Sequence, residues 1–257
     1  MAEYNGGSSM AQKFQKVAML VIGDEILSGR TRDANINCLG IWLSELGVEL
    51  GEARIVPDIH EEIVQHIREL SSRYDALFTS GGIGPTHDDI TADAVAAAFD
   101  VSIDHDPRAV ALLEDFYPLE MRNEARMRMA RIPDGARLID NPVSVAPGFV
   151  VENVYVMAGV PKIFAGMLEG LVSEFSGGAP LLSRTLRVEV GEGRIAAQLH
   201  DLQQRYDDVK LGCYPYGHDG KYAARVVARG RDGERLHAVL TELADTLGEE
   251  GLAVGFE

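Results

Sequence analysis

Thr79-Ser80-Gly81-Gly82-Ile83-Gly84-Pro85-Thr86-His87-Asp88-Asp89-Ile90-Thr91 sets three glycines between an apolar run and an alanine-rich segment. Glycine lets successive N–H groups turn toward one point and lets a phosphate approach the chain closely. Gly81, Gly82, Ile83 and Gly84 would supply amides to such an anion, and Ser80 and Thr86 hydroxyls. No Gly-Lys-Ser/Thr follows, so the stretch is not a P-loop, and Gly-Gly-x-Gly is not the dinucleotide fingerprint. Its structural alternative is a tight strand-to-helix turn capped by Asp89 or Thr91. The Pro-Thr-His-Asp-Asp-x-Thr tail makes the pattern more specific than a bare glycine turn. His87 is a further phosphate contact or an exposed loop residue.

Carboxylates follow two other apolar runs. Gly23-Asp24-Glu25-Ile26-Leu27-Ser28-Gly29 sets Asp24 and Glu25 side by side between glycines. They read as ligands for a hard cation such as magnesium, or as a turn with a helix cap. Asp58 follows Pro57 and has capping-box spacing to Glu61, so catalysis and capping both remain open for it. Gly159-Val160-Pro161-Lys162 leads into a helix start, a further anion site in which Gly159 and Pro161 shape the approach. Asn141-Pro142-Val143-Ser144-Val145-Ala146-Pro147-Gly148 reads as a rigid polar loop.

The elements that must carry these loops alternate. Val17 to Ile22 is an apolar run stopped by Gly23 and reads as a buried strand. Ile36, Leu39, Leu43 and Leu46 recur at helical spacing, with Gly47 suited to the C-cap and Trp42 to the core. Val48 to Val56 reads as a second strand. Ile59, Ile63, Ile67 and Leu70 mark a second helix, Ala76 to Thr79 a third strand, and Thr91 to Phe99 a third helix capped by Thr91. Such alternation predicts a parallel sheet covered on both faces, with the ligand beyond the carboxyl ends of its strands. The loops after Ile22, Val56 and Thr79 then leave one edge together.

Pro107 to Arg131 is charged and irregularly helical, and Met121 to Arg131 carries four arginines. It is either a solvated face or a basic patch beside a phosphate. Phe149 to Val151 and Val154 to Met157 read as paired strands, and Pro161 opens a helix. Ser176 to Leu181 is the strongest linker in the chain. Beyond it, strands at Thr185–Val190, Val209–Pro215 and Tyr222–Ala228 and helices at Ile195–Tyr206 and Glu234–Leu247 form a small α+β unit, with a turn around Gly217 to Gly220.

The chain has 257 residues, 46% hydrophobic and 25% charged, with 24 Lys and Arg against 40 Asp and Glu, a net charge of -16. Duplex DNA and anionic membranes are excluded as natural partners of so acidic a chain. A phosphate would have to be held by backbone amides, a helix N-terminus or a metal ion. Cys38 and Cys213 form no metal or redox motif and fit a reducing compartment. No apolar run approaches the roughly 18 residues of a membrane span. Met1 to Gln15 is polar, without a signal-peptide core, and Met10 suits an alternative start or a tag junction. A cytoplasmic homo-oligomer is expected, with a phosphorylated small molecule as partner and neither nucleic acid nor membrane.

These motifs resemble the MoaB/Mog molybdopterin-binding domain, and most closely the N-terminal part of competence/damage-inducible protein A (CinA). The resemblance rests on Ile22 to Gly29, Gly81 to Thr91, Asn141-Pro142 with Ala146-Pro147-Gly148-Phe149, and Gly159-Val160-Pro161. It implies a three-layer αβα domain with a mostly parallel sheet over residues 16–175, binding molybdopterin or a nucleotide through its phosphates. It also implies a small α+β domain over 182–257, similar to the CinA middle domain. Two aspartates serve the reaction in adenylyltransferases of this fold, matched here by Asp58 and Asp89, which would also hold the divalent metal. Those enzymes usually carry Arg-Asp where this chain has Asp88-Asp89, and the family's Gly-Thr before Ala-Pro-Gly is Ser144-Val145 here. CinA proteins continue into a nicotinamide-nucleotide deamidase domain that this sequence does not include, so deamidase activity is not expected. The expected activity is metal-dependent pyrophosphatase action on a nucleotide such as ADP-ribose, with molybdopterin adenylylation or plain pterin or nucleotide binding as alternatives.

Overall fold

A computed structural model describes residues 14–218 and 221–257. Residues 1–13, on which the leader and Met10 readings fall, and part of the predicted turn at Gly217–Gly220 lie outside the described residues. The chain divides into two units, Met1–Gly178 and Ala179–Glu257.

In the first unit, β1 (Lys16–Ile22), β2 (Glu49–Val56) and β3 (Ala76–Ser80) run parallel in the order β2-β1-β3. Helix α1 (Asp24–Leu27) is a single turn after β1, α2 (Asn35–Glu45) connects to β2, and α3 (His60–Arg73) connects to β3. After β3 come α4 (Thr91–Phe99), β4 (Ile103–His105), α5 (Pro107–Phe116), α6 (Glu124–Met127), β5 (Arg131–Pro133) and β6 (Arg137–Ile139). Then β7 (Gly148–Val151) and β8 (Val154–Met157) form an antiparallel pair, with β8 parallel to β3. Helices α7 (Pro161–Glu169) and α8 (Val172–Phe175) close the unit. The six-stranded sheet has the order β2-β1-β3-β8-β7-β6, and β4 pairs with β5 apart from it.

Strand β1 shows why the sequence reads as an unbroken apolar run. Ala18, Leu20 and Ile22 pack into one core with Ile63, Ile67 and Leu70 of α3 and Ala94 and Val95 of α4. Val17, Met19 and Val21 pack into another with Leu39 and Leu43 of α2 and Phe164 and Met167 of α7. A strand buried on both faces has no polar side to alternate with. The three-layer αβα fold with a mostly parallel sheet is therefore as expected. Because α2 leads outward to β2 and α3 crosses back to β3, the connections diverge between β1 and β3. Ligands bind at such a switch point.

Three local expectations need correction. Thr91 is the first residue of α4, not its cap: its hydroxyl donates to the Gly81 carbonyl at 2.9 Å. Asp58 makes no cap for α3, whose cap position is Ile59, itself 46% exposed rather than part of the buried face. Strands β4, β5 and β6, of three residues each, were not anticipated between the helices.

The second unit contains β9 (Leu182–Val188), α9 (Ala196–Arg205), β10 (Lys210–His218), β11 (Lys221–Gly230), α10 (Gly233–Glu249) and β12 (Val254–Phe256). Its antiparallel sheet has the order β10-β11-β9-β12. The unanticipated β12 completes a βαββαβ split motif. Leu186, Val188, Ala224, Val226 and Ala228 on one sheet face pack against Leu202 of α9 and Leu236, Leu240 and Leu243 of α10. Among the described residues no helix is long and apolar enough to cross a membrane.

Candidate functional site

Four loops meet at the carboxyl ends of β2, β1, β3 and β8. The Gly23 N–H donates to Val56 O at 3.1 Å, tying the first loop to the end of β2. The Asp24 N–H donates to Asp58 Oδ2 at 2.9 Å. The Gly81 N–H donates to Met157 O at 3.2 Å, joining the glycine-rich loop to the end of β8. A Cβ on Gly81 would lie 2.2 Å from Ile22 O, and one on Gly159 would lie 3.1 Å from Gly81 Cα. Glycine is thus required by the closeness of three backbones, and at Gly81 also by φ of 106°.

The glycine-rich loop is pinned at its base and open above. Thr91 donates through its N–H to Gly82 O and through Oγ1 to Gly81 O, both at 2.9 Å. Gly82 has φ of 69°, and a Cβ there would lie 2.1 Å from Thr91 Oγ1. Farther along, Asp89 Oδ2 accepts from the Thr86 N–H at 2.8 Å and from Thr86 Oγ1 at 2.5 Å, closing the turn. A Cβ on Gly84 would fall 2.7 Å from the same carboxylate oxygen. Among the described residues the N–H groups of Gly82, Ile83 and Gly84 find no acceptor in the protein, and all three residues are half-buried. Consecutive unpaired amides beside a bend form an anion-binding concavity.

Asn35, the first residue of α2, was not anticipated as a site residue. It is 3% exposed, and its Nδ2 donates to Ser80 Oγ at 2.7 Å and to Gly159 O at 2.8 Å. Its Oδ1 is buried without a partner. One side chain on α2 therefore couples the ends of β3 and β8. Ser80 is 1% exposed, so its hydroxyl sits beneath the loop rather than on its surface. Only a polar residue just past Asp33 hinted at this in the sequence, and it reads as an ordinary helix start.

The acidic residues lie on one flank. Asp24 and Glu25 open α1, and Asp58 follows β2. Burial pushes the Asp58 carboxyl above its ordinary range, the Asp24 N–H pulls it down, and the charges of Asp24, Glu25 and Asp88 raise it. Asp58 and Asp89 belong to different hydrogen-bond networks, one through Asp24 and the other through Thr86. Among the described residues no three His, Cys, Asp or Glu converge as a metal cluster. The His87 side chain is 98% exposed near Asp88. Pro161 is the first residue of α7, exposed beside the Gly159 turn. Asn141 serves its own loop: Oδ1 accepts from the N–H groups of Val143 and Ser144, both at 3.0 Å.

A small, open cleft lies beside the glycine-rich loop, lined by Gly82, Ile83, Gly84 and Asp89 together with Arg128, Met129 and Pro147. Part of the arginine-rich segment thus reaches the glycine-rich loop.

Residues 18–180 match the family described as a probable molybdopterin binding domain, and residues 180–254 match the middle domain of FAD synthase. A protein of Aeropyrum pernix is 33% identical over 234 residues, covering 86% of this chain and 87% of its own length. A CinA-like protein of Myxococcus xanthus is 34% identical over 163 residues, covering 61% of this chain. The chain spans 39% of the length of that CinA-like relative. The crystal structure of CinA from Thermoplasma acidophilum, described as of unknown function, superimposes with a TM-score of 0.60 at 30% identity, over 63% of this chain and 99% of that one. The chain belongs to the probable molybdopterin binding domain family, in the MoaB/Mog-like form shared with CinA-like proteins.

Proposed function

We propose that the first unit binds a phosphorylated nucleotide or pterin on the glycine-rich loop and, with a divalent cation, hydrolyses a phosphoanhydride such as that of ADP-ribose. The observation that carries this reading is the row of unpartnered N–H groups at Gly82, Ile83 and Gly84, beside the switch point between β1 and β3. These amides bind phosphate oxygens, and the loop's fixed shape orients the scissile bond. Ser80 and Gly159 hold the loop from below through Asn35.

The donor chemistry of the acidic flank fits magnesium. Asp58, with Asp24 and Glu25 near it, offers hard oxygens, and their mutual repulsion is relieved by a cation. Magnesium commonly takes one or two protein carboxylates and completes its shell with water and substrate phosphates, so no all-protein cage is needed. When bound it would neutralise phosphate charge and lower the pKa of water. Asp89, fixed by Thr86 beside Gly84, contributes the second carboxylate from the loop itself.

Adenylyl transfer to molybdopterin is the second reading, favoured by the family match over residues 18–180. Both reactions use the same cradle. The test is cleavage of ADP-ribose with magnesium, manganese or cobalt, run beside ATP plus molybdopterin. Turnover of ADP-ribose alone supports the first reading, and formation of an adenylylated pterin supports the second. Binding of either ligand without turnover would replace both by a binding module.

A further inference from the structure

The chain is strongly acidic, and most of its arginines are held by carboxylates or backbone carbonyls, as Arg54 is by Glu69 and Arg68 by Ala98 O. On the segment from Met121 to Arg131, Arg122 donates to Tyr117 O at 2.8 Å, and Arg126 donates to Met121 O at 2.6 Å. Arg131 makes a two-pronged pair with Asp93, at 2.9 and 2.6 Å. Arg128 differs. It is half-buried, it lines the cleft beside Gly82 to Gly84, and its Nη2 makes one long bond, 3.3 Å, to the Asp89 carbonyl. Among the described residues no carboxylate pairs with it. A partly desolvated guanidinium without a counter-charge, beside unpaired N–H groups, is a costly arrangement without a ligand. A ligand with two linked phosphates would satisfy both at once, because guanidinium donors match phosphate oxygens in pairs.

We propose that Arg128 is a phosphate-binding residue of this site that selects substrates carrying two linked phosphates. The inference rests on the phosphate-binding reading above. The glycine amides hold one phosphate, and Arg128, which lines the same cleft, takes an oxygen of the other. A monophosphate reaches only one of these two sets of donors. The segment from Met121 to Arg131 then acts as the local basic element in an acidic molecule, with one residue facing the ligand.

The experiment titrates the full chain calorimetrically with inorganic pyrophosphate and with inorganic phosphate. Wild type is compared with Arg128→Gln, Arg128→Lys and the off-cleft control Arg126→Gln, each checked for an unchanged melting curve. The expected result is a loss of pyrophosphate affinity of at least about tenfold in Arg128→Gln, partial recovery in Arg128→Lys, little change in Arg126→Gln, and little change in phosphate affinity throughout. Pyrophosphate affinity in Arg128→Gln within twofold of wild type would overturn the proposal, as would equal losses in Arg128→Gln and Arg126→Gln. Failure of wild type to bind pyrophosphate, phosphate or ADP-ribose would instead overturn the phosphate-binding reading on which this one rests.

Discussion

Replacing Gly82 by alanine adds one methyl group at a point where the structure leaves no room. The added Cβ would lie 2.1 Å from Thr91 Oγ1, and φ is 69°. An L-residue held in this left-handed conformation costs about 1–2 kcal/mol. The contact also displaces the Thr91 hydroxyl, which satisfies the buried Gly81 carbonyl. A buried acceptor left unpaired costs about 1–3 kcal/mol more. Gly82→Ala should therefore destabilise the first unit by about 2–5 kcal/mol, or about 5–15 °C in Tm for a unit of this size. Thr91→Ala removes the hydrogen bond and the nearest obstruction, Oγ1, together, leaving the Cβ at 3.2 Å from the added methyl group. Gly82→Ala introduced into Thr91→Ala should then cost only its backbone share, about 1–2 kcal/mol. The cycle predicts a coupling of about 1–3 kcal/mol between the two positions. Urea unfolding followed by fluorescence reads this unit alone, because Trp42, the sole tryptophan, packs edge-on against Phe78 in its core. Additivity of the two substitutions within about 0.5 kcal/mol would refute the reasoning.

Asp58→Asn and Asp89→Asn should keep Tm within a few degrees yet lower metal-dependent turnover at least about a hundredfold, a loss of about 2.7 kcal/mol of barrier stabilisation. The double variant should lose less than the product of the single losses, because groups serving one reaction act as a unit. The Asp58 pKa is raised by burial and by neighbouring carboxylates, so the folded chain holds a proton there that the unfolded chain has already released. Stability from this group is therefore fully present below its unfolded pKa and is lost as pH rises through its folded pKa. In chelator, Asp58→Asn should gain Tm relative to wild type as pH rises from about 4 to neutrality, and an unchanged difference would count against it. Asn35→Ala should weaken ligand binding and cost about 1–3 kcal/mol. Asn35→Asp should cost more, because a buried carboxylate would face the Gly159 carbonyl in place of a donor. Chemical denaturation and a ligand titration check both.

The sheet was readable in the sequence where burial left no ambiguity. Beyond Lys16, strands β1 and β3 are buried on both faces and each is followed by a glycine, and α2 and α3 carry buried residues at helical spacing. The carboxyl-edge loops followed from alternation alone. Short strands escaped notice for a physical reason: β4, Ile-Asp-His, and β5, Arg-Ile-Pro, are too brief and too polar for any periodicity to register. Caps were misread because the side chains found partners distant in sequence. Asp58 satisfies an N–H in the Asp24 loop, and Thr91 satisfies Gly81. Asn35 and Arg128 were invisible as individuals for the same reason. The partners of Asn35 lie 45 and 124 residues away, and the loop carbonyl that Arg128 touches, at Asp89, lies 39 residues before it.

The central claim is that the amides of Gly82, Ile83 and Gly84 hold the phosphates of the ligand. Titration of uniformly 15N-labelled protein with ADP-ribose and magnesium, followed amide by amide, tests it directly. The account predicts that these three resonances move downfield along one saturating binding curve, as new hydrogen bonds to phosphate form, while resonances of the second unit stay in place. Saturable binding that leaves all three amides unmoved would contradict it.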